Sequence, residues 1–275
     1  MPNSKKSYQS VAAIKSFAER FVQKHCYPLL PYPKTRFVII TNGRTGSNYL
    51  VSLLLSHPEI YQYGEVIGES NLRRQNIHTK IRACGSVRYV RNCYRKRFYK
   101  KAVGVKILYY QFKKYYAEKW GVDDLQDVFT ELREEPKILV IHLKRRNQLK
   151  TLVSMELARL TKEYVKREAN DTNREVRVHL TPERCTSFFQ DVNENEKYFD
   201  ECFGSHKKLE IYYEDLVTDT ETICKKIMDF LQVKHCELKG NTFRQSQRPV
   251  SQHIQNFEEL KQFFKSTPSA VFFED

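Results

Sequence analysis

The chain lacks the lysine that a nucleoside-triphosphate loop requires. Gly46 is followed by Ser47 and Asn48, so the pattern Gly-x4-Gly-Lys-Ser/Thr is not met and Mg²⁺-dependent phosphoryl chemistry loses its usual anchor. Gly43 and Gly46 are the only glycines in the same turn, which removes the dinucleotide fingerprint Gly-x-Gly-x-x-Gly as well. No apolar run approaches the ~18 residues a membrane-spanning helix needs. The seven cysteines include no Cys-x-x-Cys pair, so neither a zinc site nor a disulfide framework is signalled, and reduced thiols are expected. The eight histidines show no metal-ligand spacing, and no metal is expected. Residues 1–33 have neither the apolar core nor the small-residue cleavage site of a secretory leader, so the expected location is cytoplasmic. Val11, Ile14, Phe17, Phe21 and Val22 instead recur at helical spacing, which predicts an N-terminal helical extension over 1–33.

Acid is missing where it would be noticed most. Residues 71–117 carry 14 Lys or Arg and no Asp or Glu, while the remaining 33 basic residues match the 33 acidic ones. The whole net charge of +14 therefore sits in one segment, densest over 88–101, where tyrosines alternate with the cations. Such a segment is either a solvated helix or a surface for nucleic acid, an anionic glycan or an acidic membrane face.

What is present is an α/β pattern in a chain long enough for a large core, read as a single domain over 1–275. An apolar run from Phe37 to Ile40 meets the turn Asn42-Gly43-Arg44-Thr45-Gly46-Ser47 and then a helical pattern through Tyr49, Leu50, Val51, Leu53 and Leu54. A strand, a glycine turn and a helix start leave backbone N–H groups pointing outward at the positive end of a helix dipole, an arrangement suited to an anion. Thr45 and Ser47 add hydroxyl donors, and Arg44 adds a fork that fits phosphate or sulfate. The plainer alternative is a tight turn that binds nothing. Further strands are expected at 103–110, 137–143 and 209–213, with helices between them and a soft polar stretch over 162–178. Alternation of this kind predicts a central, mostly parallel sheet flanked by helices, with ligands at the carboxyl ends of its strands. The turns at Arg44 and at Arg145-Arg146-Asn147 both fall there.

Two anion-binding turns in this order resemble the sulfotransferases that use 3′-phosphoadenosine 5′-phosphosulfate (PAPS), and within them the carbohydrate sulfotransferases of the bacterial nodulation and trehalose type. The resemblance spans residues 35–272 and implies a P-loop-like three-layer fold. It implies that Arg44, Thr45, Gly46, Ser47 and Asn48 hold the 5′-phosphosulfate, with Arg44 where many relatives have lysine. Arg146 and Ser154, eight residues apart, match the family's pair for the 3′-phosphate. Tyr213, in the run Tyr212-Tyr213-Glu214-Asp215, resembles the strand-end motif beside adenosine. Arg248, in the stretch 244–257, resembles the loop that closes over the cofactor. For each the alternative is structural: a surface arginine, a helix hydroxyl, a core tyrosine.

Sulfuryl transfer by such an enzyme needs a base for the acceptor hydroxyl and cations for the charge that develops. Glu65 stands where similar carbohydrate enzymes carry their base, with Glu69 as its rival. Lys106 matches the lysine that in other relatives precedes a catalytic histidine, and no histidine follows it here. Arg44 and Lys106 are the expected charge stabilisers. The implied reaction moves a sulfuryl group from PAPS to a hydroxyl of a carbohydrate or glycolipid acceptor, leaving 3′-phosphoadenosine 5′-phosphate (PAP). The basic segment follows Glu65 and is expected to flank the acceptor cleft or to make peripheral membrane contact. Alternatives from other classes are a nucleic-acid or polyanion binder built on residues 71–117, a nucleoside-phosphate kinase, and a relative that binds cofactor without turnover.

Overall fold

A computed structural model describes residues 17–18, 21–73, 75–121, 125–162, 176–241 and 248–274. The expected apolar runs form strands β1 (Thr35–Thr41), β3 (Ala102–Leu108) and β4 (Ile138–Lys144), each buried along nearly all its length. Strands buried on both faces read as continuous hydrophobic runs, which is why they stand out in the sequence. Two shorter strands flank them, β2 (Ile60–Glu65) and β5 (Lys208–Tyr212). The sheet order is β2-β3-β1-β4-β5, and every pairing is parallel. The fold is thus the α/β parallel sheet expected.

Helices cover both faces. On one face Val38, Ile40, Val103, Val105, Ile107 and Val140 pack beneath helices α3 (Gln75–Cys84), α4 (Ser86–Arg95) and α6 (Leu125–Glu134). The other face, through Phe37, Ile39, Ile141 and Leu143, packs on α1 (Ser47–Leu55) and α10 (Thr220–Leu231). Between them in the chain lie α2 (Glu69–Leu72), α5 (Lys114–Trp120), α7 (Gln148–Thr161), α8 (Pro182–Cys202) and α9 (Tyr213–Thr218). A third apolar cluster joins α7 and α8 to the C-terminal helix α11 (Phe257–Phe264).

The connection after β1 leads toward β2 on one side, and the connection after β4 leads toward β5 on the other. The carboxyl ends of these neighbouring strands therefore border a topological switch point, where open parallel sheets bind ligands. Both arginine turns sit there.

Residues 60–65 add an edge strand to those expected, bent by Gly64 at φ +68° with a register shift between Gln62 and Glu65. Tyr109 and Tyr110 leave the strand and begin a 3₁₀ turn, Tyr109–Phe112. Tyr213 begins α9 instead of ending β5. Of the N-terminal extension, Val11 and Ile14 lie outside the described residues, as do 163–175 of the polar stretch and 242–247 of the loop before Arg248. The part that is described, a π-helical turn Val22–Cys26 and a 3₁₀ turn Tyr27–Leu29, docks on α4, where the Asn92 amide donates to Gln23 O at 2.7 Å.

Candidate functional site

The first turn is held open by a glycine that no other residue replaces easily. Gly46 caps α1 at φ +78°, in the left-handed region, and offers no side chain to the helix start. A Cβ there would lie 2.2 Å from the Tyr213 ring, so the ring closes one side of the turn by packing directly on Gly46. Arg44 also has positive φ, +64°, a cost a non-glycine residue bears only where its surroundings demand it. Thr45 is buried, and its hydroxyl donates to Asn42 O at 2.9 Å. Thr41 donates to Leu143 O at 2.6 Å, tying the turn to β4.

A buried lysine joins this turn to the carboxylate proposed from sequence. Lys106 leaves β3 on the α1 face with 2% of its surface exposed. Its ammonium donates to Asn48 Oδ1 at 2.6 Å and Ser47 Oγ at 3.2 Å, and it lies 3.0 Å from Glu65 Oε1. Burial holds its pKa below the usual lysine value, partly offset by Glu65. Gln111 donates to the other oxygen, Glu65 Oε2, at 3.2 Å, and Asn71 donates to the Glu65 backbone carbonyl at 2.6 Å. The carboxylate is thus held at both oxygens, at the mouth of the turn, with a quarter of its side chain exposed. Glu69 is elsewhere: it pairs with Lys119 at 2.7 Å and Arg73 at 3.2 Å on the surface, and the Lys119 hydrogen bond first, then Arg73, draws its pKa down.

The second turn is organised differently from the expectation. Asn147 caps α7, accepting from Lys150 N at 2.9 Å. The backbone N–H groups of Arg146 and Asn147 donate to the Glu214 carboxylate at 3.0 and 3.3 Å. The Arg146 guanidinium, half exposed, makes a two-point pair with Asp215 at 2.6 and 2.8 Å and lies over the Tyr212 ring at 4.1 Å. Ser154, expected beside Arg146, instead accepts from Arg44 Nε at 3.1 Å. The structure therefore brings Ser154 to the first turn and seats Arg146 on the Tyr-Tyr-Glu-Asp motif. Arg145, which the sequence gives no reason to separate from its neighbour, bridges the two: it donates to Arg44 O at 3.1 Å and lies 4.8 Å over the Tyr213 ring. Arg248 stands half-buried before the 3₁₀ turn Val250–His253, whose Val250 packs in the α7 cluster.

A second polar group went unread in the sequence. On the opposite face, buried His142 contacts the Tyr109 hydroxyl through Nε2 at 2.5 Å and Asp200 through Nδ1 at 3.1 Å. Lys144 donates to Asp200 and Glu210 at 2.7 and 2.5 Å. His142, Asp200 and Glu210 carry metal-binding donor types within 4.8 Å of one another. Lys144 and Lys208 already neutralise both carboxylates, so the group is better matched to an internal charge network than to a cation. Strand periodicity alone would not have revealed it, because Asp200 comes from α8.

The family model described as "Sulfotransferase family" matches residues 36–237. A nodulation protein H of Rhizobium meliloti is 30% identical over 250 residues, covering 88% of this chain and 96% of that protein. A nodulation protein H of Rhizobium tropici is 31% identical over 252 residues, covering 89% and 95%. Among solved structures, a sulfotransferase from Alicyclobacillus acidocaldarius superposes with a TM-score of 0.47 at 16% identity, over 89% of this chain and 95% of that one.

Proposed function

We propose that this chain, which belongs to the sulfotransferase family, takes its sulfuryl group from PAPS and delivers it to a hydroxyl of a carbohydrate or glycolipid acceptor. The observation that carries the reading is the position of Lys106, buried with its one ammonium on both the anion turn and the Glu65 carboxylate.

The residues fit PAPS on their chemistry. A glycine-opened helix start, the Ser47 hydroxyl, a buried ammonium and an arginine suit a phosphosulfate, the mixed anhydride of phosphoric and sulfuric acids, and would supply the fixed positive charge that phosphoryl-transfer enzymes draw from Mg²⁺. PAPS would supply the activated sulfuryl group. Thr45, Gly46, Ser47 and Asn48 would hold its 5′ end, with Arg44 and Lys106 stabilising charge on sulfate and leaving phosphate. Arg146, Ser154 and Arg248 would serve the 3′-phosphate, and Tyr213 the nucleoside. Seating a 3′-phosphate on Arg146 means sharing that guanidinium with Asp215, and Ser154 would answer to Arg44 as well. Glu65 would take the proton of the acceptor hydroxyl, its oxygens aimed by Lys106 and Gln111.

A carbohydrate acceptor is the one the resemblance implies, and the relatives named nodulation protein H fit that reading. The test is transfer of labelled sulfate from PAPS to a panel of neutral oligosaccharides and glycolipids. Glu65→Gln should lower that transfer by ~10²–10⁴-fold while leaving PAP binding intact. Transfer undiminished in Glu65→Gln would remove Glu65 from the base role, and labelling of no sugar-containing acceptor would remove the carbohydrate.

A further inference from the structure

The site does not use the densest part of the positive charge. Residues 88–101 end α4 and enter β3, and Thr35 N donates to Lys101 O at 2.9 Å at the very start of the sheet. This is the amino edge. The anion turn lies at the carboxyl edge, a seven-residue strand away, or ~23 Å at 3.3 Å per residue. The expectation that the whole basic segment flanks the acceptor cleft therefore fails for its richest stretch, which faces away.

Charge at this edge is only partly neutralised. Among the described residues, ion pairs hold Arg91 to Glu131 and Lys101 to Glu59, each at 2.6 Å. Four other cations of the stretch contact neutral groups. Lys96 lies over the Tyr27 ring at 4.8 Å, Arg97 over Tyr61 at 4.2 Å, and Lys100 donates to Pro58 O at 2.6 Å. Arg95 donates to Pro28 O at 2.5 Å, which brings the Tyr27–Leu29 turn against the end of α4. Three large side chains project from this ground. Leu29 is 84% exposed, Tyr99 61% and Phe98 44%, the last two edge to face at 6.1 Å. Exposed Lys24 and Lys34 lie in the same N-terminal stretch of chain.

We propose that this amino edge is a docking surface for an anionic lipid bilayer. Cations that retain their charge without a carboxylate partner attract acidic headgroups, and projecting Leu29, Phe98 and Tyr99 enter the boundary between headgroup and acyl chain. Charge complementarity selects an acidic partner, and the apolar projections select lipid over nucleic acid, since a leucine has no face on which a base stacks. The proposal goes beyond the sulfotransferase reading and stands on a different end of the molecule. It would hold the enzyme at a surface where a glycolipid acceptor resides.

The experiment is co-sedimentation of the full chain with phosphatidylcholine vesicles with and without phosphatidylglycerol, across a salt series. Binding should require phosphatidylglycerol and fade as salt rises. The double variant Phe98→Ser/Tyr99→Ser and, separately, Lys96→Glu/Lys100→Glu should each weaken it by about tenfold or more. PAP binding measured on the same samples should not change, which certifies that the variants are folded and keeps the two proposals separable. Equal sedimentation with both vesicles, or variants that bind like wild type, would overturn the inference. So would tighter binding of a single-stranded RNA that ignores Phe98→Ser/Tyr99→Ser.

Discussion

Lys106 occupies a position that a strand residue facing a hydrophobic helix would ordinarily surrender to an aliphatic side chain. A buried ammonium is costly, and its lowered pKa records that cost. The chain retains it because three acceptors converge on it, from Ser47, Asn48 and Glu65. Its loss should therefore be read in rate, not in folding. Lys106→Met is expected to lower sulfuryl transfer by ~10²–10³-fold, as for removal of one donor to developing charge. Its thermal melt should be no lower than that of wild type. A variant with wild-type turnover would show the lysine to be structural. At this scale the sequence was legible where a motif and an element coincided. Lys106 draws Glu65, Ser47 and Asn48 into contact, three residues that the sequence singled out on elements separate from its own. Arg145 was not legible, since two adjacent arginines in a turn look alike until packing distinguishes the one over Tyr213 from the one over Tyr212. Nor was the bond from Arg44 to Ser154, which spans 110 residues of chain.

Among the elements, the turn between β1 and α1 is the most sharply determined. Gly46→Ala faces two penalties, a left-handed backbone and a Cβ 2.2 Å from the Tyr213 ring. It should displace Tyr213, lower the melting temperature and weaken PAP binding by about tenfold or more. Gly43→Ala is the internal control, because a Cβ there meets nothing within 4 Å, and its melting temperature should match wild type. Equal melting temperatures for all three proteins would show that Tyr213 yields freely and does not shape the turn. The long strands were readable for the physical reason that they are buried on both faces. β2 was not: Tyr61, Gln62, Tyr63 and Gly64 alternate polarity at a sheet edge, and the bulge at Gly64 breaks the period. Glu65 sits at the end of that strand, where alternation alone does not mark it, and its contact with Lys106 follows from the pairing of β2 with β3.

On the scale of the whole molecule the sheet separates two surfaces, the anion turns at its carboxyl edge and the basic, aromatic ground at its amino edge. Beneath α8 it also holds a charge network that makes stability depend on pH. Burial pushes His142 from 6.5 down to about 4, so the unfolded chain takes up a proton first and stability falls as pH drops through that window. Burial pushes Glu196 from 4.5 up to about 7, so the folded state keeps a proton the unfolded chain has lost, and stability falls as pH rises through that range. Glu196→Gln should melt several degrees above wild type at pH 8 and level with it near pH 4.5, by calorimetry at both pH values. The same offset at both would show that Glu196 is not buried as a neutral acid. Calorimetric titration of PAP into wild type and Arg44→Ala tests the cofactor site at the carboxyl edge most directly. Saturable one-site binding by wild type and a loss of ~1.5–3 kcal/mol in the variant are expected, as for a hydrogen bond to a charged group. A folded wild type that takes up no PAP would contradict that site.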